Sequence, residues 1–191
     1  MLKNLFVFSV FSVFLNSCGS KFYIKEDYTF YDQNFKIPNP SLIQTQGVYL
    51  LDTDVKTGEA KSSRAKNFYK FFNGGQTFFS LQESEKQENE YNNIIKEEIT
   101  RTSNPKKGIS TLFQGYYKIN DNKVIIQNVN VPLRQFYYTY CLIQKDKLFV
   151  IQETIDGNGQ FEAKFFEGKP KEIYTFKEFV TNKAEEIIPN W

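Results

Sequence analysis

Thr111-Leu112-Phe113-Gln114-Gly115-Tyr116-Tyr117-Lys118-Ile119 and Lys123-Val124-Ile125-Ile126-Gln127, parted by Asn120-Asp121-Asn122, decide how this chain folds. Both runs are rich in β-branched and aromatic residues, and the three residues between them are short polar types that tolerate a tight reversal. The pair reads as a β-hairpin. Toward the C-terminus the grammar repeats, with residues 133–144 meeting 148–153 across Lys145-Asp146-Lys147. Asp156-Gly157-Asn158-Gly159 is a further turn, 161–166 a further strand, and Glu172-Ile173-Tyr174-Thr175-Phe176 the last strand. Toward the N-terminus, Asn67-Phe68-Tyr69-Lys70-Phe71-Phe72 and Gln76-Thr77-Phe78-Phe79-Ser80-Leu81 flank Asn73-Gly74-Gly75, whose glycines supply the positive φ of a tight turn. Gln46-Gly47-Val48-Tyr49-Leu50-Leu51 is the opening strand, closed by Asp52-Thr53-Asp54 and a turn near Gly58.

One stretch has a different period. Tyr91, Ile94, Ile95 and Ile99 recur at helical spacing, with Glu and Lys on the remaining faces, and Ser84 followed by Gln87 fits a capping box. This spacing predicts a helix over 84–102, ending before Ser103-Asn104-Pro105 and covering a surface or one end of the domain. Phe176, Phe179, Val180, Ala184, Ile187 and Ile188 predict a second, C-terminal amphipathic helix. The total is eight or nine strands joined mainly by tight turns, and closing into a barrel removes the open edges such a sheet would expose.

Gln46-Gly47-Val48-Tyr49 as a Gly-x-aromatic opening strand, the hairpin at Phe71-Phe72-Asn73-Gly74-Gly75, and the hairpin from Gly115 to Val124 together resemble the bacterial lipocalin-like, calycin-type barrels over residues 45–183. The resemblance implies a mainly β domain. It would be an antiparallel up-and-down barrel of about eight strands with one inserted helix and a C-terminal helix, spanning 45–191.

The first residues carry an address. Met1-Leu2-Lys3-Asn4 precedes an apolar run from Leu5 to Leu15, shorter than the roughly 20 residues a permanent membrane helix needs. Leu15-Asn16-Ser17-Cys18 follows and resembles the lipobox of bacterial lipoproteins. That resemblance implies a signal peptide over 1–17, cleavage after Ser17, and lipidation of Cys18. The expected location is the cell envelope, with Gly19 after the cysteine permitting the outer membrane. Residues 18–44, with Pro38 and Pro40, read as a tether holding the barrel off the membrane. Lipidation of Cys18 leaves Cys141 without an intramolecular partner. Its setting, Tyr140-Cys141-Leu142, reads as a small buried residue.

Composition narrows the function. After the signal the chain keeps 23 basic and 22 acidic residues, which gives no electrostatic case for nucleic acid. The whole sequence contains no histidine, so Ser-His-Asp and Cys-His catalysis and histidine metal sites are excluded. Asp156-x-Asn158-x-Gln160 with Glu167 echoes a calcium loop. Phe161 stands where its glycine belongs, however, and a hairpin loop is the better reading. Glu97-Glu98 reads as a solvated helix face rather than a catalytic pair. No metal, no cofactor and no enzymatic activity are expected.

Aromatics are dense: 16 Phe, 12 Tyr and one Trp follow the signal. In Phe136-Tyr137-Tyr138-Thr139-Tyr140, one face carries Phe136, Tyr138 and Tyr140 and the other Tyr137, Thr139 and Cys141. One face of each strand lines the barrel, which is either packed solid or left as an apolar cavity for one ligand. Tyr49, Phe71, Phe78, Tyr117, Tyr138 and Tyr140 are the candidate lining residues. The expected function is binding, of a small apolar ligand inside or an envelope protein partner outside. The alternative is an accessory subunit of an envelope complex, using exposed aromatic edges and the 84–102 helix as contacts; a histidine-free carboxylate hydrolase is the remaining rival.

Overall fold

The computed structural model describes residues 23–54, 67–84, 86–102, 113–130, 133, 135–179, 189 and 191. The signal segment, Cys18, the turn near Gly58 and residues 180–188 lie outside the described residues. Eight antiparallel strands close into one up-and-down barrel in sequence order. They are β1 (Gly47–Asp54), β2 (Phe68–Phe71), β3 (Gln76–Ser80), β4 (Gln114–Asn120), β5 (Lys123–Asn130), β6 (Gln135–Gln144), β7 (Lys147–Thr154) and β8 (Glu172–Glu178). Closure is made by β1 and β8, paired from Gly47↔Glu178 to Asp54↔Glu172. The hairpin that opened the reading of the sequence is formed, with Gly115↔Asn128 through Asn120↔Lys123 in register and Asp121 at φ 54° in its turn.

Helix α1 (Glu88–Thr102) is inserted between β3 and β4. It begins later than the Ser84–Gln87 box implies. The Gln87 backbone N–H donates to the Glu90 carboxylate at 2.7 Å, so Gln87 is the cap and Glu90 the reciprocating residue. Tyr91, Ile95 and Ile99 are buried as their spacing predicts. Tyr91 meets Phe68 edge-to-face at 5.3 Å on the outer face of the barrel.

The ninth strand and the start of the second helix are corrected. Gly157, Asn158 and Gly159 all take positive φ, and this folds the chain back over the outside of the barrel. Residues 163–165 then form a 3-10 turn rather than a strand. Since β7 and β8 are already paired on both sides, no edge is left for a ninth strand. Phe176 belongs to β8, and Phe179 stacks on Tyr91 at 5.4 Å.

Apolar side chains form two shells. The inner one contains Tyr49, Leu51, Tyr69, Phe71, Tyr117, Val124, Ile126, Cys141, Ile143, Leu148, Val150 and Tyr174. The outer one contains Phe68, Phe78, Tyr116, Ile125, Tyr138 and Tyr140, and it is covered by the chain's own segments. Residues 23–44, read from the sequence as part of a tether, supply much of that cover. Tyr28 packs against Tyr116 and Phe136 at 5.0 Å, and Phe30 against Tyr138 at 5.7 Å. Gln127, fully buried on the outer face, accepts from the Phe30 N–H at 2.9 Å and donates to the Thr29 hydroxyl at 3.1 Å. A buried amide satisfied by the N-terminal segment makes that segment part of the folded body.

Candidate functional site

The two ends of the barrel differ because their connections differ. At one end lie the short turns of β2–β3, β4–β5 and β6–β7. Phe35, Ile37 and Ile43 close this end against the inner shell, and Phe35 meets Tyr117 edge-to-face at 5.2 Å. Gly75 at φ 86° is needed here twice over. Its turn requires the left-handed conformation, and a Cβ would stand 2.9 Å from the Phe35 ring. Beneath the plug, Phe71 packs edge-to-face on Tyr49 at 5.6 Å and on Tyr117 at 5.0 Å. Their polar tips are satisfied: the Tyr117 hydroxyl donates to the Phe72 carbonyl at 2.9 Å, and the Gln44 N–H donates to the Tyr49 hydroxyl at 3.0 Å. This half of the barrel is solid.

The opposite end carries the connections β1–β2, β3–β4, β5–β6 and β7–β8. Among the described residues, a cavity of about 300 Å³ at this end is lined by Phe79, Phe113, Asn130, Tyr137 and Glu153. Strand parity explains the lining. On β6, Tyr137 shares the inward face with Cys141 and Ile143; on β5, Asn130 shares it with Val124 and Ile126. Glu153 reaches the same face through a β-bulge. Cys141 pairs with Val150 but Tyr140 with Gln152, so Ile151 is the extra residue, and Glu153 falls opposite the buried Thr139. A bulge that re-aims a side chain is a device often found beside functional sites. Gly115 has no side chain because its neighbours already fill the space one would need. A Cβ there would lie 2.4 Å from the Gln127 carbonyl and 2.8 Å from Asn128 Nδ2, which donates to the Gln114 carbonyl at 3.2 Å.

Below the mouth lies a polar layer. Phe79 packs on Tyr69 at 4.8 Å, and Tyr69 on Tyr174 at 5.0 Å. The Tyr174 hydroxyl donates to the Glu172 carboxylate at 2.7 Å. Burial raises the phenols of Tyr69, Tyr137 and Tyr174 and the Cys141 thiol, and Glu153 or Glu172 raises each further by like-charge repulsion of the ionised form. Tyr137 is pushed up to about 12. Cys141, fully buried, therefore stays a neutral thiol.

None of the six residues proposed from the sequence lines this cavity. Tyr49, Phe71 and Tyr117 do point inward, but they fill the sealed half. Phe78, Tyr138 and Tyr140 point outward, under α1, Phe30 and the 163–165 turn respectively. Their neighbours Phe79 and Tyr137 take the lining positions, one residue away and on the opposite face. Asn130, Phe113 and Glu153 carried no signal of their own in the sequence. The Glu98 carboxylate accepts from Gln114 Nε2 at 2.9 Å and ties α1 to β4. Asp156 Oδ2 accepts from the Thr154 hydroxyl at 3.3 Å, a local turn contact. Among the described residues no group of three acidic or cysteine side chains is placed to hold a metal ion.

The class these features define is a closed, eight-stranded, lipocalin-like barrel, plugged at one end and, among the described residues, holding a cavity toward the other. No protein family, curated protein or solved structure matches the chain.

Proposed function

We propose that this is a lipid-anchored envelope lipoprotein whose barrel binds a small molecule at its open mouth and does no chemistry on it. The observation that carries the reading is the asymmetry of the barrel interior. Among the described residues, one half is filled by interlocked rings, while the other holds a cavity at the low end of the roughly 300–1,000 Å³ range of small-molecule sites. Convergent polar groups at its wall, Tyr137, Asn130 and Glu153, are of the kind that orient a ligand. The lining is mixed rather than purely apolar, which shifts the ligand away from a simple hydrocarbon.

A docking role for the aromatic faces has less support. The outer face bearing Tyr116, Tyr138 and Tyr140 is covered by the chain itself, and the apolar stripe of α1 is spent on the barrel. The large apolar side chains left exposed among the described residues, Ile24, Leu42, Leu81, Leu133 and Ile155, sit singly on different segments. Attachment to the membrane rests on Leu15-Asn16-Ser17-Cys18.

Native mass spectrometry of the protein extracted from its own membranes tests the binding role. A co-purifying small molecule, lost when Asn130→Trp fills the mouth, is the expected result. A stoichiometric protein partner with no small molecule would overturn the reading in favour of an accessory subunit. The anchor is tested separately: labelled palmitate should enter the wild type but not Cys18→Ala, and equal labelling would overturn it.

A further inference from the structure

We propose, resting on the lipid anchor above, that the end of the barrel carrying the cavity is held against the bilayer, with Ile24, Leu81, Leu133 and Ile155 entering the membrane surface. The path of the N-terminal segment and the placement of the exposed apolar side chains both select that end.

Residues 23–44 run along the outside of the barrel in one direction. Tyr23 meets Phe136, the second residue of β6, edge-to-face at 5.2 Å. Tyr28 packs on the same ring, Phe30 on Tyr138 two residues further along β6, and Phe35 on Tyr117 at the plugged end. Because β6 runs from the cavity end to the turn between Gln144 and Lys147, the segment enters at the cavity end and leaves at the other. Tyr23 is buried, so the chain is fixed to the barrel from that residue on. Cys18 precedes it by five residues, which reach at most about 17–18 Å when fully extended. From Phe136 to Gln144 β6 rises about 26 Å along the strand, or about 20 Å along the barrel axis at the usual tilt of about 35–45°. A lipid on Cys18 therefore brings the cavity end to the bilayer and falls short of the plugged end.

Five large apolar side chains are exposed among the described residues, and four of them share the cavity end. Leu81 follows the last residue of β3, Leu133 lies between β5 and β6, Ile155 follows the last residue of β7, and Ile24 adjoins Tyr23. Each of the four is more than half exposed, while Leu42, the fifth, stands beside the plug residue Ile43. Taken singly such residues are ordinary on a protein surface. Grouped at one end beside an acyl anchor, they supply a second membrane signal, because apolar side chains bury themselves at the boundary between headgroups and acyl chains. The bilayer is favoured over a protein partner as the occupant because the short link to Cys18 brings this end within its reach.

The lipidated full-length chain in phosphatidylcholine vesicles tests the orientation, with a small environment-sensitive fluorophore attached at Leu133→Cys or at Leu42→Cys. Both positions are exposed, so the fold tolerates the change. Cys18 is then occupied by lipid and Cys141 is fully buried, so the introduced thiol is the one that reacts. Lipids spin-labelled at the headgroup are the quencher. The expected result is loss of most of the emission at position 133 and little of it at position 42. Equal quenching at the two positions, or stronger quenching at 42, would overturn the orientation while leaving the anchor intact. A blue-shifted label at 133 that the spin-labelled lipids do not quench would also overturn it, and would assign these side chains to a protein partner or a second copy of the chain. Failure of palmitate to enter the wild type would overturn the anchor and the orientation together.

Discussion

Replacing Phe71 by alanine separates a filled half of the barrel from an open one. The ring is fully buried, lies between Tyr49 and Tyr117, and stacks 6.2 Å from Tyr69. Deleting a buried phenyl group destabilises by about 3–5 kcal/mol, and the loss is greatest where the neighbours cannot collapse into the space. Here they are held, Tyr117 by the Phe72 carbonyl and Tyr49 by the Gln44 N–H. We expect a loss of about 4 kcal/mol. At about 2–4 °C per kcal/mol for a domain of this size, Tm should fall by roughly 8–16 °C. Phe79→Ala is the matched control. Its ring packs on Tyr69 on one side and lines the mouth on the other, so truncation enlarges a space already open to solvent. About 1–2 kcal/mol is expected there. Urea denaturation of both variants with the wild type measures the difference. Equal losses would refute the division of the barrel into a solid and an open half.

Alkali should unfold the protein steeply. Tyr49 and Tyr137 are both raised to about 12, and Tyr69, Tyr116, Tyr117 and Tyr174 are raised as well. The unfolded chain then releases these protons first. Stability should be flat below about pH 9 and fall from about pH 10 upward, by about 1.4 kcal/mol per pH unit for each such phenol. Urea midpoints measured across that range, alongside phenolate absorbance, check this, and a flat profile to about pH 12 would contradict it. Gly75→Ala should lower stability by about 1–3 kcal/mol through backbone strain and displacement of Phe35, read as a lower urea midpoint at unchanged slope. Phe30→Ala should cost about 3 kcal/mol if residues 23–44 belong to the folded body; a loss under about 0.5 kcal/mol would return them to the status of a tether.

The up-and-down barrel was legible in the sequence because tight turns dominate one end of it. Asn73-Gly74-Gly75, Asp121-Asn122 and Lys145-Asp146 each join consecutive strands, and such turns leave antiparallel neighbours little choice. The helix was legible because Tyr91, Ile95 and Ile99 keep one period throughout. The inward face was not. In most folds the polar face of a strand marks the outside, but here residues 23–44, α1 and the 157–166 segment cover the outside with further rings. Tyr137 and Tyr138 then look alike, and so do Phe78 and Phe79. Glu153 was hidden for a second reason, since the bulge at Ile151 changes strand parity without any local residue preference that announces it. The tether was misread because prolines and charges in 23–44 mask its anchoring rings Tyr23, Tyr28 and Phe30.

Thiol labelling tests the central claim most directly, that one end of the barrel is open and the other sealed. In a chain carrying Cys18→Ala, the native Cys141 is fully buried in the inner shell and serves as its own control. Asn130→Cys places a second thiol at the mouth. The account predicts that a small maleimide labels position 130 rapidly while Cys141 reacts only after unfolding. Protection of both thiols, or equal labelling of both in the folded protein, would contradict it.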